Sequence, residues 1–297
     1  MSSLFVIGNG LDLAHGLPTK YRNFRNFLVK EYEADKDISL FPPEIIVGNH
    51  GEEKTNSIEL ASLFTRLLIE ANVEGDWSNF EEKLGQLNYD EFYDHIEDFG
   101  SDDEENPWIT AYRMEDVSSS LLNSIPNVQE LFSEWINTIQ IESTLPQKLT
   151  FMSLCAPKND MFLNFNYTLT LEKVYGCENV CHIHGKQGAE ILVGHGDDSS
   201  QAGCFDNDGF PGALCNLTDV KKTLRKDTEQ ALFNNRNFFE SLVDVNKIYS
   251  IGFSFSSVDL IYIKEICKKT NSGTIWIFND YCGDRKEIPK FKNILRK

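Results

Sequence analysis

Residues 4–18 of this chain read LFVIGNGLDLAHGLP, an apolar run that breaks directly into a glycine turn. The apolar residues 4–7 predict a short buried strand, and Gly8, Asn9 and Gly10 predict a tight loop after it. Glycine lets backbone amides come close to a ligand, and the start of a helix supplies further amide donors. A strand, a Gly-x-Gly turn and a helix in this order are typical of loops that hold nucleotide phosphates. Because Gly-x-Gly turns are common, this interpretation depends on other segments.

The composition describes an ordinary globular protein. The 297 residues, 41 % of them hydrophobic, suffice for one large α/β domain or two smaller ones. The formal net charge of −18 repels phosphate backbones and anionic lipids, so we expect no general nucleic-acid binding. No apolar run approaches the roughly 18 residues of a membrane span, and no signal peptide is recognised, so we expect a cytoplasmic protein without membrane contact. The spacing of the seven cysteines favours separate reduced thiols over a zinc site, and no metal is expected.

Further apolar segments have the length and composition of strands. They lie at residues 161–165, 180–183, 191–193, 247–251 and 274–278. Residues 19–32, 218–243 and 257–270 show the helical spacing of apolar residues. Short apolar strands that alternate with helices predict a Rossmann-like α/β fold, with a mostly parallel sheet covered on both faces.

The segment after the first helix has a different character. Residues 33–57 predict a loop, and helical patterns follow at 77–98, 109–123 and 127–140, with an acidic, solvated run at 97–105. We therefore predict two parts. The α/β domain comprises residues 1–32 and 150–297, and residues 33–149 form a large, mainly helical, acidic insertion or cap.

Glycine or polar residues stand at the ends of five of the predicted strands, and ligands of such sheets bind beyond the carboxyl ends of the strands. These segments are Gly8–Gly10, Asn164–Thr168, His184-Gly185, Gly252–Ser254 and Asn279. We expect them to converge at one edge of the sheet.

Several of these residues allow two interpretations. Asn166 and Thr168 either cap the following helix or point toward a ligand. His182 and His184 alternate along a strand and should face opposite sides, which leaves His184 as the better candidate for a general base. His15 in the glycine loop either contacts a ligand or is a surface residue. Ser254 belongs to a helix-capping loop or to a second nucleotide-contacting loop.

Taken in order, the motifs resemble the NAD-binding fold of the sirtuins (Sir2-like). Three glycines and a proline match the first sirtuin motif, G-A-G-x-S-x-x-x-G-I-P, at positions 8, 10, 16 and 18. Asn166 matches the central asparagine of T-Q-N-I-D, and His184 matches the sirtuin His-Gly pair. Gly252–Ser254 matches the G-T-S loop, and Asn279 matches the asparagine that ends a late strand.

The chain resembles the AbiH family of bacterial phage-defence proteins more closely. The shared patterns are G-N-G-x-D-L-x-x-G-x-x-T-x-Y at residues 8–21, N-F-N-Y-T at 164–168 and H-I-H-G at 182–185. Among the departures from the sirtuin pattern, Asp12 replaces a serine and Thr168 replaces an aspartate. The sirtuin zinc ribbon is also missing, which argues against protein deacylation.

The resemblance implies an abortive-infection effector that hydrolyses NAD+ to nicotinamide and ADP-ribose. Asn166 would hold the ribose or orient water, and His184 would act as the base. NAD would be bound as a substrate, without a metal. The implied binding residues are Gly8, Asn9, Gly10, Asp12, His15, Thr168, Gly252, Ser254 and Asn279.

The same resemblance implies that the helical insertion regulates the enzyme or forms a homo-oligomer, and that a phage-derived trigger or partner protein controls it. Three alternatives remain open at this point. They are a non-catalytic sensor of NAD or ADP-ribose, an NAD-dependent deacylase, and an unrelated α/β domain with a fortuitous glycine loop.

Overall fold

The computed structural model describes residues 3–34, 42–47, 53–70, 77–86, 107–196 and 211–278, with residues 289, 291 and 292. Its strands and α-helices are, in chain order, β1 (Ser3–Ile7), α1 (Gly10–Ala14), α2 (Tyr21–Tyr32), β2 (Ile45–Val47), β3 (Glu53–Thr55), α3 (Ser57–Glu70), α4 (Trp77–Leu84), α5 (Pro107–Ser124), α6 (Val128–Thr138), α7 (Leu149–Leu154), β4 (Met161–Asn164), α8 (Thr170–Tyr175), β5 (Val180–His182), α9 (Pro211–Thr223), α10 (Thr228–Asn234), α11 (Arg236–Glu240), β6 (Lys247–Ile251), α12 (Leu260–Lys269) and β7 (Ile275–Phe278). No helix among the described residues has the length and apolar character needed to cross a membrane.

The chain divides into two compact units. The sheet unit comprises Met1–Lys20, Ile136–Leu192 and Asp227–Lys297, and the helical unit comprises Tyr21–Trp135 and Val193–Lys226. These units differ from the predicted division at 33–149, since helix α2 and residues 193–226 belong to the helical unit and residues 136–149 belong to the sheet unit.

The sheet unit contains five parallel strands in the order β5-β4-β1-β6-β7, which confirms the predicted Rossmann-like α/β architecture. Strands β4 and β5 extend the sheet to one side of β1, and strands β6 and β7 extend it to the other side. The order therefore reverses between β1 and β6, and ligands of doubly wound sheets bind beyond such a switch point. In the register, Ile7 lies opposite Asn164 and Ile251, and Asn164 lies opposite His182, so these strand ends are level.

Both faces of the sheet are apolar, which explains why β1 reads as a continuous apolar run. On one face, Leu4 belongs to a buried cluster with Tyr262 of α12. On the other face, Phe5 stacks on Phe162 and Tyr249, with ring centroids 5.3 Å and 4.8 Å apart. Burying one such side chain contributes about 2–3 kcal/mol to folding, so the central strand fixes the strand ends that carry the site.

The strand predicted at residues 191–193 is not formed. Ile191 makes only an isolated bridge with Gly185. The chain is turned there because the backbone N–H of Leu192 donates to the carbonyl of His184 at 2.8 Å. A short apolar run alone does not show whether a strand partner is within reach.

The single helix predicted at residues 218–243 is interrupted. After α9 the chain is extended, and the N–H of Lys226 donates to the carbonyl of His195 at 2.9 Å. Asp227 then begins α10, because its carboxylate accepts a hydrogen bond from the N–H of Gln230 at 2.8 Å. Aspartate at an N-cap satisfies an otherwise unpaired helical amide, so this residue starts a new helix.

The helical unit is built around an aromatic cluster. Phe24 of α2 contacts Phe132 and Trp135 of α6, with ring centroids 5.2 Å and 5.3 Å away. Phe64 of α3 and Phe80 of α4 complete the cluster at 6.4 Å and 6.2 Å. The helices of this unit are thus held by large side chains on their buried faces.

The helices predicted at 109–123 and 127–140 are confirmed as α5 and α6. The predicted loop at 33–57 contains the short antiparallel hairpin β2–β3, which the sequence pattern did not indicate. Of the helix predicted at 77–98, the structure gives α4. The acidic run at 97–105 lies outside the described residues.

The helical unit also buries a charged pair. Lys226 is 2 % exposed, and Glu81 is 8 % exposed. The ammonium group of Lys226 donates a hydrogen bond to the Glu81 carboxylate. The pairing compensates the cost of burying the two charges, because little or none of either side chain reaches water.

Candidate functional site

The loops after β1 and β6 are joined directly at the switch point. The N–H of Gly8 donates to the carbonyl of Ile251, and the N–H of Gly10 donates to the carbonyl of Gly252, both at 3.0 Å. Gly252 has a φ of +62°, and a Cβ added there would lie 2.5 Å from the Cα of Gly10. The glycines thus let two backbones meet, and the amides of Gly8 and Gly10 that were expected to hold phosphate are bonded within the protein.

The side chain of Asn9 holds the end of the glycine loop. Its Nδ2 donates to the carbonyl of Thr19 at 2.8 Å, and its Oδ1 accepts a hydrogen bond from the Thr19 hydroxyl at 2.6 Å. This reciprocal pair links the two ends of the turn that contains Gly16. The asparagine and the threonine of the first motif therefore act together.

Asp12 is buried at 1 % exposure between the first and second motifs. Its Oδ2 accepts a hydrogen bond from Thr168 at 2.6 Å, and its Oδ1 accepts one from Thr170 at 2.7 Å. Burial raises the pKa of Asp12 to about 6, although the two threonine hydrogen bonds and the nearby His182 lower it in part. Asp12 therefore ties the glycine loop to the loop after β4.

Asn166 is fixed through both its backbone and its side chain. Its Nδ2 donates to the carbonyl of Gly8 at 3.1 Å, and its N–H donates to Asn164 Oδ1 at 3.1 Å. Nδ1 of His182 lies 3.1 Å from the Asn166 carbonyl, and Nε2 of His182 lies 2.7 Å from Oε1 of Glu172. These contacts hold the carboxamide at the carboxyl edge of the sheet.

The expectation from strand alternation that His182 and His184 face opposite sides was wrong, because residues two apart on a strand share a face. His184 lies two residues beyond the end of β5, and its contacts differ from those of His182. It is 3 % exposed, and its Nε2 lies 3.3 Å from Oδ1 of Asp259. Its ring packs edge-on against Phe165 at 5.4 Å and lies 5.5 Å from the ring of Tyr262. His184 is thus placed between a carboxylate and aromatic rings.

Comparison with known proteins identifies the family. The family model described as bacteriophage abortive infection AbiH matches residues 4–280. The chain belongs to the AbiH family. No curated protein and no solved structure matches the chain. The family description connects this AbiH chain to abortive infection as a defence against bacteriophage.

The motif residues of this AbiH protein contact one another. Direct contacts join Asn9 to Thr19, Gly8 to Asn166, Gly10 to Gly252 and Asp12 to Thr168. His15 Nε2 lies 2.7 Å from the hydroxyl of Tyr175, and burial, followed by the charge of Lys148, lowers the pKa of His15. Gly252 and Ser254 are exposed at the end of β6. Asn279 lies outside the described residues.

Sequence reasoning did not identify Gln187, which joins three segments of the sheet unit. Its Nε2 donates to the carbonyls of Ile136 and Ile139 at 2.8 Å each, and its Oε1 accepts a hydrogen bond from the N–H of Leu169 at 3.3 Å. The end of α6 is thereby attached to the loop that carries Asn166 and to the turn after His184. A glutamine in a loop carries no signal that would have revealed this.

Thr170 and Asp259 were also missed. Both lie near the start of a helix, where threonine and aspartate are expected to cap the backbone. In this AbiH chain their side chains contact Asp12 and His184 instead. No cluster of three or more metal-binding side chains occurs among the described residues.

The buried Asp12 predicts a pH dependence of stability. Its folded-state pKa is raised, so the folded protein binds a proton more tightly than the unfolded chain does. The resulting stability is present below about pH 4 and is lost as the pH rises through about 6. We expect wild type to lose up to about 3 kcal/mol relative to Asp12→Asn over this range.

Urea unfolding of both proteins at intervals between pH 4 and pH 8 measures this difference. Thr170→Ala serves as a control, because it removes a partner and leaves the titrating carboxylate in place. A difference between wild type and Asp12→Asn that does not change with pH would contradict the assignment.

Proposed function

We propose that this protein is an abortive-infection effector that hydrolyses NAD+ to nicotinamide and ADP-ribose. The observation that carries the proposal is the position of Asn166 and His184. They follow neighbouring strands of a doubly wound sheet, at the edge where such sheets bind nucleotides. Family membership supplies the biological setting, in which loss of NAD+ would stop an infected cell from supporting phage growth.

The proposed reaction requires little acid catalysis, because the nicotinamide ring of NAD+ is already cationic. The bond between the ribose C1′ and the ring nitrogen breaks, and its electron pair neutralises the departing nicotinamide. A water oxygen bonds to C1′, and the water proton passes to His184. The side-chain Oδ1 of Asn166 accepts a hydrogen bond from a ribose hydroxyl or from the attacking water, and this positioning lowers the entropic barrier.

The binding residues are proposed from the same edge. Since the amides of Gly8 and Gly10 donate to the carbonyls of Ile251 and Gly252, we assign the pyrophosphate to the exposed Gly252 and Ser254, together with the backbone at Asn9. Asp12 and Thr168 shape the loop beneath the substrate. We assign regulation, homo-oligomer formation and response to a phage-derived trigger to the helical unit, since an unregulated NAD hydrolase is toxic to its host.

A second candidate function is a non-catalytic sensor of NAD or ADP-ribose. The low exposure of the two proposed catalytic residues favours it, because Asn166 is 7 % exposed and His184 is 3 % exposed. Such a sensor would bind the nucleotide and signal to a partner without breaking the glycosidic bond.

The proposal predicts a paired result in bacteria that express the protein and are then infected with a restricted phage. Wild type should lower both the cellular NAD+ and the number of plaques, and His184→Ala should lose both effects. His195→Ala is the matched control, since His195 is also a buried histidine, at 1 % exposure, but belongs to the helical unit. Protection with unchanged NAD+ would overturn the hydrolase and support the sensor.

A further inference from the structure

Asp259 stands at the N-cap of α12, yet its side chain accepts no capping hydrogen bond. It is 6 % exposed, and His184 is 3 % exposed. Oδ1 of Asp259 lies 3.3 Å from Nε2 of His184. An aspartate at this position ordinarily satisfies a helical amide, so the contact with His184 replaces its usual local role.

The surroundings of the pair are apolar and aromatic. Phe165 packs edge-on against the imidazole at 5.4 Å, and the rings of Tyr262 and Tyr167 lie 5.5 Å and 6.4 Å away. Among the described residues, Asp259 brings a carboxylate to within 3.3 Å of the imidazole, and Tyr262 and Tyr167 bring phenol rings beside it. At this distance the Asp259 carboxylate acts strongly on the protonation of the imidazole, since electrostatic interactions strengthen when water is excluded.

We propose that Asp259 is a positioning residue that holds His184 with a proton on Nε2 and the lone pair on Nδ1. A neutral imidazole has one donor nitrogen and one acceptor nitrogen, and an ionised carboxylate accepts only. The nitrogen that faces Asp259 must then carry the proton. This inference rests on the proposed function in one respect: it assigns Nδ1 as the atom that takes the water proton during NAD+ hydrolysis.

The assignment gives Asp259 a role in the transition state as well. When the water proton moves to Nδ1, the imidazole becomes a cation, and the adjacent carboxylate stabilises it. Asp259 itself gains no proton. In hydrolytic triads, too, a buried carboxylate fixes the tautomer of a histidine and stabilises the imidazolium that forms.

The test combines a spectroscopic and a kinetic measurement on the full chain. Nitrogen-15 NMR of labelled histidine, with the His184 signals assigned by comparison with His184→Gln, reports which ring nitrogen carries the proton. We expect protonated Nε2 and unprotonated Nδ1 in wild type at pH 8, and loss of this preference in Asp259→Asn. Ser257→Ala is the matched control, since Ser257 is an exposed residue of the same turn.

For NAD+ hydrolysis we expect Asp259→Asn to lower kcat by about 100-fold or more, to leave KM within about threefold, and to move the acid limb of the pH profile to lower pH. A proton on Nδ1 in wild type overturns the proposal, and so does full kcat in a folded Asp259→Asn. If wild type releases no nicotinamide, the proposed function fails. The NMR result on wild type then still decides the pairing, and it requires only that His184→Gln, the variant used for the signal assignment, folds.

Discussion

Gly252→Ala is expected to lower the free energy of unfolding by about 2–5 kcal/mol. The φ of +62° at this residue is unfavourable for any side chain, at a cost of about 1–2 kcal/mol. The added Cβ would also lie 2.5 Å from the Cα of Gly10 and 2.7 Å from the N of Leu11. Both neighbours are backbone atoms in a loop fixed by hydrogen bonds, so relieving the overlap costs about a further 1–3 kcal/mol. Urea unfolding followed by far-ultraviolet circular dichroism measures the loss.

Gly16→Ala separates the two contributions. Gly16 has a similar φ of +74°, but a Cβ there meets no atom within 4 Å. Gly16→Ala should therefore lower the free energy of unfolding by only about 1–2 kcal/mol, which is the backbone strain alone. Equal losses for the two variants would show that the loops after β1 and β6 do not meet as described.

Lys226→Ala is expected to destabilise the protein by about 3–5 kcal/mol, because it leaves the Glu81 carboxylate buried without its partner. The matched control is Lys222→Ala on α9. Lys222 pairs with Asp219 at 2.8 Å, but the two side chains are 55 % and 51 % exposed, and surface pairs contribute less than about 1 kcal/mol. Unfolding in urea at pH 7 gives both values.

The double variant Lys226→Met with Glu81→Leu tests the physical reason. Replacing a buried ion pair by apolar side chains of similar size is often neutral or stabilising. We therefore expect it to recover most of the stability lost in Lys226→Ala. A double variant no more stable than the single one would show that the loss comes from packing around the lysine stem.

The sheet was predictable from the sequence, because strands buried on both faces read as short apolar runs separated by helical spacing. Residues 4–7 are the clear example, since all four are buried, whereas residues 247–251 read KIYSI and are buried only at alternate positions. The strand predicted at residues 191–193 is not formed. There the apolar run is present, but backbone hydrogen bonds to the preceding turn take the place of a strand partner.

The candidate site was predictable as a set of strand-end residues, although the contacts among them were not. The sequence indicated Gly8 and Asp12 as site residues. It did not show the role of Gly8, because a glycine that allows close backbone packing and a glycine that binds phosphate look the same in a sequence. Partners such as Thr170, Gln187 and Asp259 belong to other elements, and only tertiary contacts reveal them. The pairing of Asp259 with His184 is the clearest case, since its position in the sequence indicates a helix cap.

The release of nicotinamide from NAD+ by the purified full chain tests the central claim most directly. The assay compares wild type with His184→Ala, with and without lysate from phage-infected cells as a source of the trigger. We predict equal amounts of nicotinamide and ADP-ribose from wild type, and release at least about 100-fold slower from His184→Ala. NAD+ that stays intact with wild type under both conditions, or equal rates for the two proteins, would contradict the account.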